Sequence, residues 1–193
     1  VSMMNEKADP RRQFYFTQLP ANSGLYVGAV SGAPAAPANY SKIHTYLRGI
    51  LTGTAYSGAA PIRMLTFAEY NFIRAEAALR FNSPGTAQTF FQAGVRASME
   101  SAGVAAADIT TYLGANGVLT GSATQQLEQI INEKYIASYG VVSEPWADWR
   151  RTGYPTLVLP ANAVTAFVPR SLFYPQSEID LNPSNPGQKS ISL

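Results

Sequence analysis

The densest chemistry in the chain is EPWADWRRTGYP, beginning at Glu144, which gathers both tryptophans, two carboxylates and two adjacent arginines within a dozen residues. On a helix Glu144 and Asp148, four apart, share one face, a spacing loosely compatible with the carboxylate pair of a glycosidase. A general acid, however, needs a pKa raised by burial or by a like charge. Arg150 and Arg151 close by favour ionised carboxylates instead. The competing reading is architectural: Ser143 caps a short helix, Pro145 occupies its first turn, Trp146 and Trp149 at i,i+3 pin it to the preceding helix, and Asp148 pairs with Arg151. The tryptophans would serve as a sugar-stacking platform only with their ring faces exposed, and two large aromatics in a dense helical segment are more often core.

His44 is the only histidine and lies in YSKIHTYLRG, near Tyr40, Tyr46 and Arg48. No carboxylate stands near enough in sequence to orient it as a general base, so a hydrogen-bonding or surface role is expected. Tyr26, Tyr40, Tyr46 and Tyr56 sit among small polar residues. A sugar or peptide site uses that mixture, because a rigid ring stacks on an apolar face while its hydroxyl takes a hydrogen bond. Tyrosines also anchor ordinary loops, and composition leaves both readings open. No phosphate-cradling glycine loop, HExxH or GxSxG occurs.

Composition narrows the function classes. The 193 residues are 46% hydrophobic and 13% charged, as in a folded domain rather than a disordered chain. With 14 basic and 12 acidic residues scattered along it, the chain lacks the dense basic track that nucleic acid binding requires. The absence of cysteine excludes disulfides, thiolate nucleophiles and thiolate metal sites, and one histidine excludes a multi-histidine centre. No cofactor motif is present. There is no signal peptide and no apolar run of the roughly eighteen residues needed for a membrane helix. The chain begins at Val1, so a processed protein or a piece of a longer one is expected.

The elements that must position these residues are mostly helical. The region 18–62, with GAPAAPAN and LTGTAYSGAAP, has no sustained period and reads as a long loop interrupted by a short helix around Ser41 to Leu51. A helix starts at Thr66, with Glu69 as capping-box partner. It carries Tyr70, Ile73, Ala77 and Phe81 on one face and Phe72, Ala75 and Leu79 on another, so burial on two sides is expected. A second helix, from about Thr86 to Ala102, stops at Gly103 and closes a helical hairpin. Its Ala87 to Phe91 spacing echoes a tetratricopeptide repeat. A third follows Ser122 and Gln125 with Leu127, Ile131, Tyr135 and Tyr139 in register, ending by Gly140. Prolines at 155, 160, 169, 175, 183 and 186 leave an extended strap over 152–193.

Four stretches in order, ADPRRQFYF, LTFAEYNFIRAEAALRF with GVRASMESAGV, EKYIASYGVVSEPWADWRRTGYP, and VPRSLFYPQSEIDLNPSNP, resemble the C-terminal half of a SusD/RagB-like protein. The resemblance runs from about Ala8 to Pro186. It implies a mainly α fold of tetratricopeptide-like hairpins with long inserted loops and a Pro-rich C-terminal strap, helical over 66–151, either as a single domain or as the C-terminal part of a larger one. It further implies an outer-membrane nutrient-uptake lipoprotein that binds oligosaccharide without catalysis and partners a TonB-dependent transporter at the cell surface. Members of that family are longer and begin with a signal peptide and a lipid-bearing cysteine, neither of which is in this chain. Glu144, Trp146, Asp148, Trp149, Arg150 and Arg151 then belong to shared architecture. The ligand site falls to the loop bearing Tyr26, Tyr40, His44, Tyr46, Arg48 and Tyr56. A helical interaction scaffold without its own ligand is the alternative, and a glycosidase using Glu144 and Asp148 the more distant one.

Overall fold

The computed structural model describes residues 1–30, 32, 36–160, 162–182, 184 and 187–191. Ala33, Pro34 and Ala35 of the long loop, and Pro183 and Pro186 of the C-terminal region, lie outside the described residues. The chain divides into two compact units: Val1–Ala29 with Ala35–Pro155, and Val30–Pro34 with Thr156–Leu193. Among the described residues no helix is long and apolar enough to cross a membrane.

The first unit is mainly helical. Short helices α1 (Ser2–Glu6), α2 (Arg12–Tyr15) and α3 (Thr45–Arg48) precede the longer α4 (Phe67–Phe81), α5 (Ala87–Ala102), α6 (Ala106–Asn116), α7 (Ala123–Ala137) and α8 (Ser143–Thr152). A two-stranded hairpin, β1 (Leu51–Thr52) and β2 (Ala55–Tyr56), lies between α3 and α4, with Leu51 opposite Tyr56.

The expected hairpin of α4 and α5 forms, and its ends follow local chemistry. Thr66 Oγ1 accepts from the Glu69 amide and Thr86 Oγ1 from the Thr89 amide, both at 3.1 Å, satisfying amides that the helices leave unpaired. Asn82 and Gly103 close the two helices in the left-handed conformation. The helices meet at Gly94, where an added Cβ would lie 3.0 Å from ring atoms of the fully buried Phe72. Ser122 and Gln125 form a complete capping box at the start of α7.

Three expectations about helix faces are corrected. On α4 the stripe Phe72, Ala75 and Leu79 packs inward, but Tyr70, Ile73 and Phe81 face solvent. On α7 the buried face is Ile130, Ile131, Glu133, Lys134, Ile136 and Ala137; Tyr135 is exposed, and the helix ends before Tyr139. The reason is the same in both: Glu69, Asn71 and Glu76 on α4, and Glu133 and Lys134 on α7, are buried polar side chains, which rotates the inward face away from the purely apolar stripe. The third concerns α8, where Val142 is the N-cap and Ser143 lies inside the first turn. Its hydroxyl donates to Glu144 Oε2 at 2.6 Å rather than capping the helix.

Among the longer helices, α6 has no counterpart in the elements read from the sequence, and the short α1 and α2 have none either. Helix α6 starts at Ala105, whose methyl group can cap nothing, so the local start signal is absent even though Ile109, Tyr112 and Leu113 are buried at helical spacing.

Two ionic networks tie the helices together. Arg11, fully buried, reaches Asp9 at 2.5 Å, Glu133 at 2.8 Å and Ser98 Oγ at 3.0 Å, joining the N-terminal segment to α5 and α7. Glu133 also accepts from Lys7 and from the Tyr112 hydroxyl, each at 2.7 Å. The second network runs from Lys134 to Asp148 at 2.8 Å, from Asp148 to Arg151 at 2.6 Å and from Arg151 to Glu76, linking α7, α8 and α4.

The second unit is mostly exposed. It contains the six-residue helix α9 (Gln176–Leu181), begun by Pro175, within an otherwise irregular strap. Tyr174 and Gln188 exchange two hydrogen bonds, at 2.8 and 3.1 Å, and the Arg170 amide donates to the Ile191 carbonyl.

Candidate functional site

Among its described residues the two ends of the long loop are joined by a ladder of backbone hydrogen bonds. The Thr17 amide donates to the Lys42 carbonyl, the Ser41 amide to Val27 and the His44 amide to Tyr15, while Phe16 pairs with Ile43 as an isolated bridge. These bonds satisfy backbone groups that would otherwise be left unpaired, and they carry the chain into α3. Beyond α3, Gly49 adopts a φ of 80° and passes so close to Ser57 and Ala59 that a side chain has no room. Ser57 Oγ accepts from the Ile50 amide at 3.0 Å, and the Gly58 amide donates to the Arg48 carbonyl, locking the small hairpin against α3.

Between α3, the hairpin, the 59–63 segment and the end of α5 lies a cleft of about 580 Å³. Tyr46, Arg63, Ala59, Ala60, Pro61 and Ala102 contribute to its walls, with His44 and Ser57 as polar lining. Tyr46 is buried. Its ring packs against Tyr15 at 4.5 Å between centroids, and the Arg63 guanidinium lies 3.6 Å from its centroid. Arg63 Nη1 also donates to the carbonyls of Tyr46 (3.1 Å) and Pro61 (3.3 Å). His44 Nδ1 and the Tyr56 hydroxyl share a 2.7 Å hydrogen bond, and the Arg48 guanidinium covers the Tyr56 ring at 3.6 Å. Burial, then the neighbouring Arg48 charge, lowers the His44 pKa, so the imidazole is neutral at pH 7.

Of the six loop residues singled out in the sequence, His44 and Tyr46 line this cleft, and Tyr56 and Arg48 stand beside it, Tyr56 bonded to His44 and Arg48 stacked on the Tyr56 ring. Tyr26 is placed elsewhere: it is buried beside α1 and α2, its carbonyl accepting from Asn5 and its ring 5.2 Å from the Arg12 guanidinium. Tyr40 follows a short 3-10 turn (Pro37–Asn39) and is half-buried outside the cleft lining. Arg63 was not among the candidates. It follows Ile62 in a stretch leading to α4, and the signal that could have found it is a cation with no carboxylate in its own segment.

The tryptophan segment forms a corner of the scaffold. Trp146 and Trp149 stack with centroids 5.5 Å apart; Trp149 is 8% exposed and Trp146 39%. Asp148 is held between Lys134 and Arg151, whereas Glu144 is exposed, its pKa lowered by the Ser143 hydroxyl. The exposed carboxyl is therefore ionised at neutral pH, and the buried one is already committed to two cations. Hydrogen bonding by Glu76 raises the pKa of Arg151, and Asp148 adds to it.

A family model described as SusD-like, starch-binding and associating with the outer membrane, matches residues 1–175. Among solved structures, a SusD homologue from Bacteroides fragilis superposes with a TM-score of 0.76 at 27% identity, covering 94% of this chain and 45% of that one. A SusD-like protein from Bacteroides thetaiotaomicron gives 0.70 at 31% identity, covering 93% and 43%. A chitin-binding SusD homologue from Flavobacterium johnsoniae gives 0.71 at 28%, covering 91% and 42%. The chain thus spans less than half the length of these solved relatives. No curated protein sequence matches it.

Proposed function

We propose, on the premise that this chain belongs to the SusD-like family, that it binds an oligosaccharide without catalysis at the cell surface and delivers it to a TonB-dependent outer-membrane transporter. The observation that carries the binding step is the cleft lined by His44, Tyr46 and Arg63, with Tyr56 and Arg48 at its side. Its apolar walls and few convergent polar groups are what a sugar needs, one ring face resting on carbon while the hydroxyls find partners. The loop over 18–62 and the adjoining Arg63 supply most of the site, and the helices of 66–151 hold it and add Ala102 to its wall, a division of labour common in binding proteins. The non-catalytic reading is supported by the ion pairs of Asp148, which deprive Glu144 of a protonatable partner.

Titration calorimetry of the chain against neutral and acidic oligosaccharides tests this. Binding without release of new reducing ends is expected, with affinity reduced about ten-fold by Tyr56→Ala, the equivalent of one aromatic contact. A folded chain that binds none of these sugars, or that cleaves one, overturns the reading.

One observation favours a second reading as an interaction scaffold. Phe67, Tyr70, Ile73 and Phe81 make an exposed apolar row on α4, suited to a further helical layer in a repeat array.

A further inference from the structure

The charges around the cleft are one-sided. From residue 10 to residue 68 the sequence contains no Asp or Glu, but it contains Arg11, Arg12, Lys42, Arg48 and Arg63. Arg11 is neutralised by Asp9 and Glu133, and Arg12 is turned toward Asn5 and the Asp9 carbonyl. Arg63 lines the cleft and Arg48 stands beside it, joined through Tyr56 to the lining residue His44, and among the described residues neither has a carboxylate within ion-pair distance. Arg63 spends only Nη1 on backbone carbonyls, which leaves Nε and Nη2 without a hydrogen-bond partner among the described residues.

Both guanidiniums lie on tyrosine rings at 3.6 Å, Arg48 on Tyr56 and Arg63 on Tyr46. A guanidinium stacked this way is held in place by its π face while its N–H groups point outward in the plane, the geometry that meets a carboxylate fork to fork. Because the rings fix the side chains beforehand, little rotamer freedom remains to be lost on binding. His44 is neutral beside them, so Arg63 in the lining and Arg48 next to it supply the positive charge here. A neutral sugar would cover the half-buried Arg63 without compensating its charge, whereas an anionic one would satisfy it.

We propose that the cleft selects an acidic oligosaccharide, one carrying carboxylates on its sugar rings, with Arg63 and Arg48 as the groups that recognise the anion. This inference rests on the reading above that the cleft binds glycans, and adds the class of sugar.

The test is calorimetry of the full chain with an oligogalacturonate, with the neutral methyl ester of the same oligomer, and with a maltooligosaccharide. The acidic oligomer should bind at least about ten-fold more tightly than its ester, the equivalent of one charge-assisted pair, and the preference should shrink as salt is raised. Arg63→Gln and Arg48→Gln should each weaken binding of the acid about ten-fold more than binding of the ester, so that the preference between the two is lost. Arg63 also braces the loop through Tyr46 and Pro61, so Arg48→Gln, on an exposed side chain, is the variant that separates recognition from folding. Equal affinity for acid and ester, or arginine variants without effect on a folded chain, overturns the proposal and leaves glycan binding standing. Failure to bind any of the three sugars overturns both.

Discussion

Replacing Glu133 by glutamine should destabilise the fold by about 3 kcal/mol at neutral pH, through the loss of one buried charge from a network in which Asp9, Arg11 and Glu133 are all fully buried. The carboxylate is fully buried and accepts three bonds, from Lys7 and Tyr112 on Oε1 and from Arg11 on Oε2. An amide keeps one acceptor and turns an NH2 toward either Arg11 or the Lys7–Tyr112 pair, so in both orientations a donor faces a donor. Burial alone would raise the pKa of Glu133, but the charges and hydrogen bonds of Arg11 and Lys7 outweigh it and hold the group down to about 2. Against an ordinary value of 4.5, that depression corresponds to about 3 kcal/mol favouring the ionised, folded form. This agrees with the roughly 3 to 5 kcal/mol lost when one member of a buried ion pair is removed. Because the folded pKa is depressed, the stabilisation is present above the unfolded pKa and is lost as pH falls through the folded one. Urea denaturation of both proteins from pH 7 to pH 2 should therefore show a constant gap down to about pH 5, narrowing to under about 1 kcal/mol at pH 2. A gap below about 1 kcal/mol at pH 7, or one that does not change with pH, would refute the assignment of Glu133 as an ionised keystone.

Two further outcomes follow from packing. Gly94→Ala should destabilise by about 1 to 2 kcal/mol despite alanine's better helix propensity, since its methyl group would press on the fully buried Phe72 ring; Phe72→Leu in the same chain should recover part of the loss in a double-mutant cycle, and additive losses would count against the contact. Trp149→Ala should cost about 3 to 5 kcal/mol and Trp146→Ala about 1 kcal/mol, following their burial, with glycan affinity retained wherever the fold survives; a stable Trp variant that has lost only its ligand would place the site at the corner instead.

What was legible in the sequence was whatever local chemistry announces. Thr66, Thr86 and Ser122 mark helix starts because their side chains bond the free amides, and Gly103 marks a stop because the chain turns left-handed there. Helix α6 begins at an alanine and gives no such mark. The inward faces of α4 and α7 were misjudged because burial there is shared with charge: Glu76 and Glu133 look like surface residues until Arg151 and Arg11, distant in sequence, arrive to pair with them. The same limit applies to the cleft. His44, Tyr46, Arg48 and Tyr56 sit within one short stretch and could be gathered by proximity, whereas Arg63 joins only when the chain folds back, and Tyr26 leaves because Asn5 and Arg12 hold it elsewhere.

The ionic core and the cleft are mechanically connected through α2, a helix of four residues. Its N-cap is Arg11, anchored to Asp9, Glu133 and Ser98, and its last residue is Tyr15, fully buried. The Tyr15 ring stacks on Tyr139 at 4.6 Å and packs on Tyr46 at 4.5 Å, while its carbonyl accepts from the His44 amide. Two of the cleft's side chains, His44 and Tyr46, are thus positioned by one residue whose own place is set one turn away by the most deeply buried charges in the unit. Such an arrangement holds aromatic and cationic groups in place on elements as short as α3 and the β1–β2 hairpin. The rigidity comes from the ion-paired Arg11, Asp9 and Glu133 behind them.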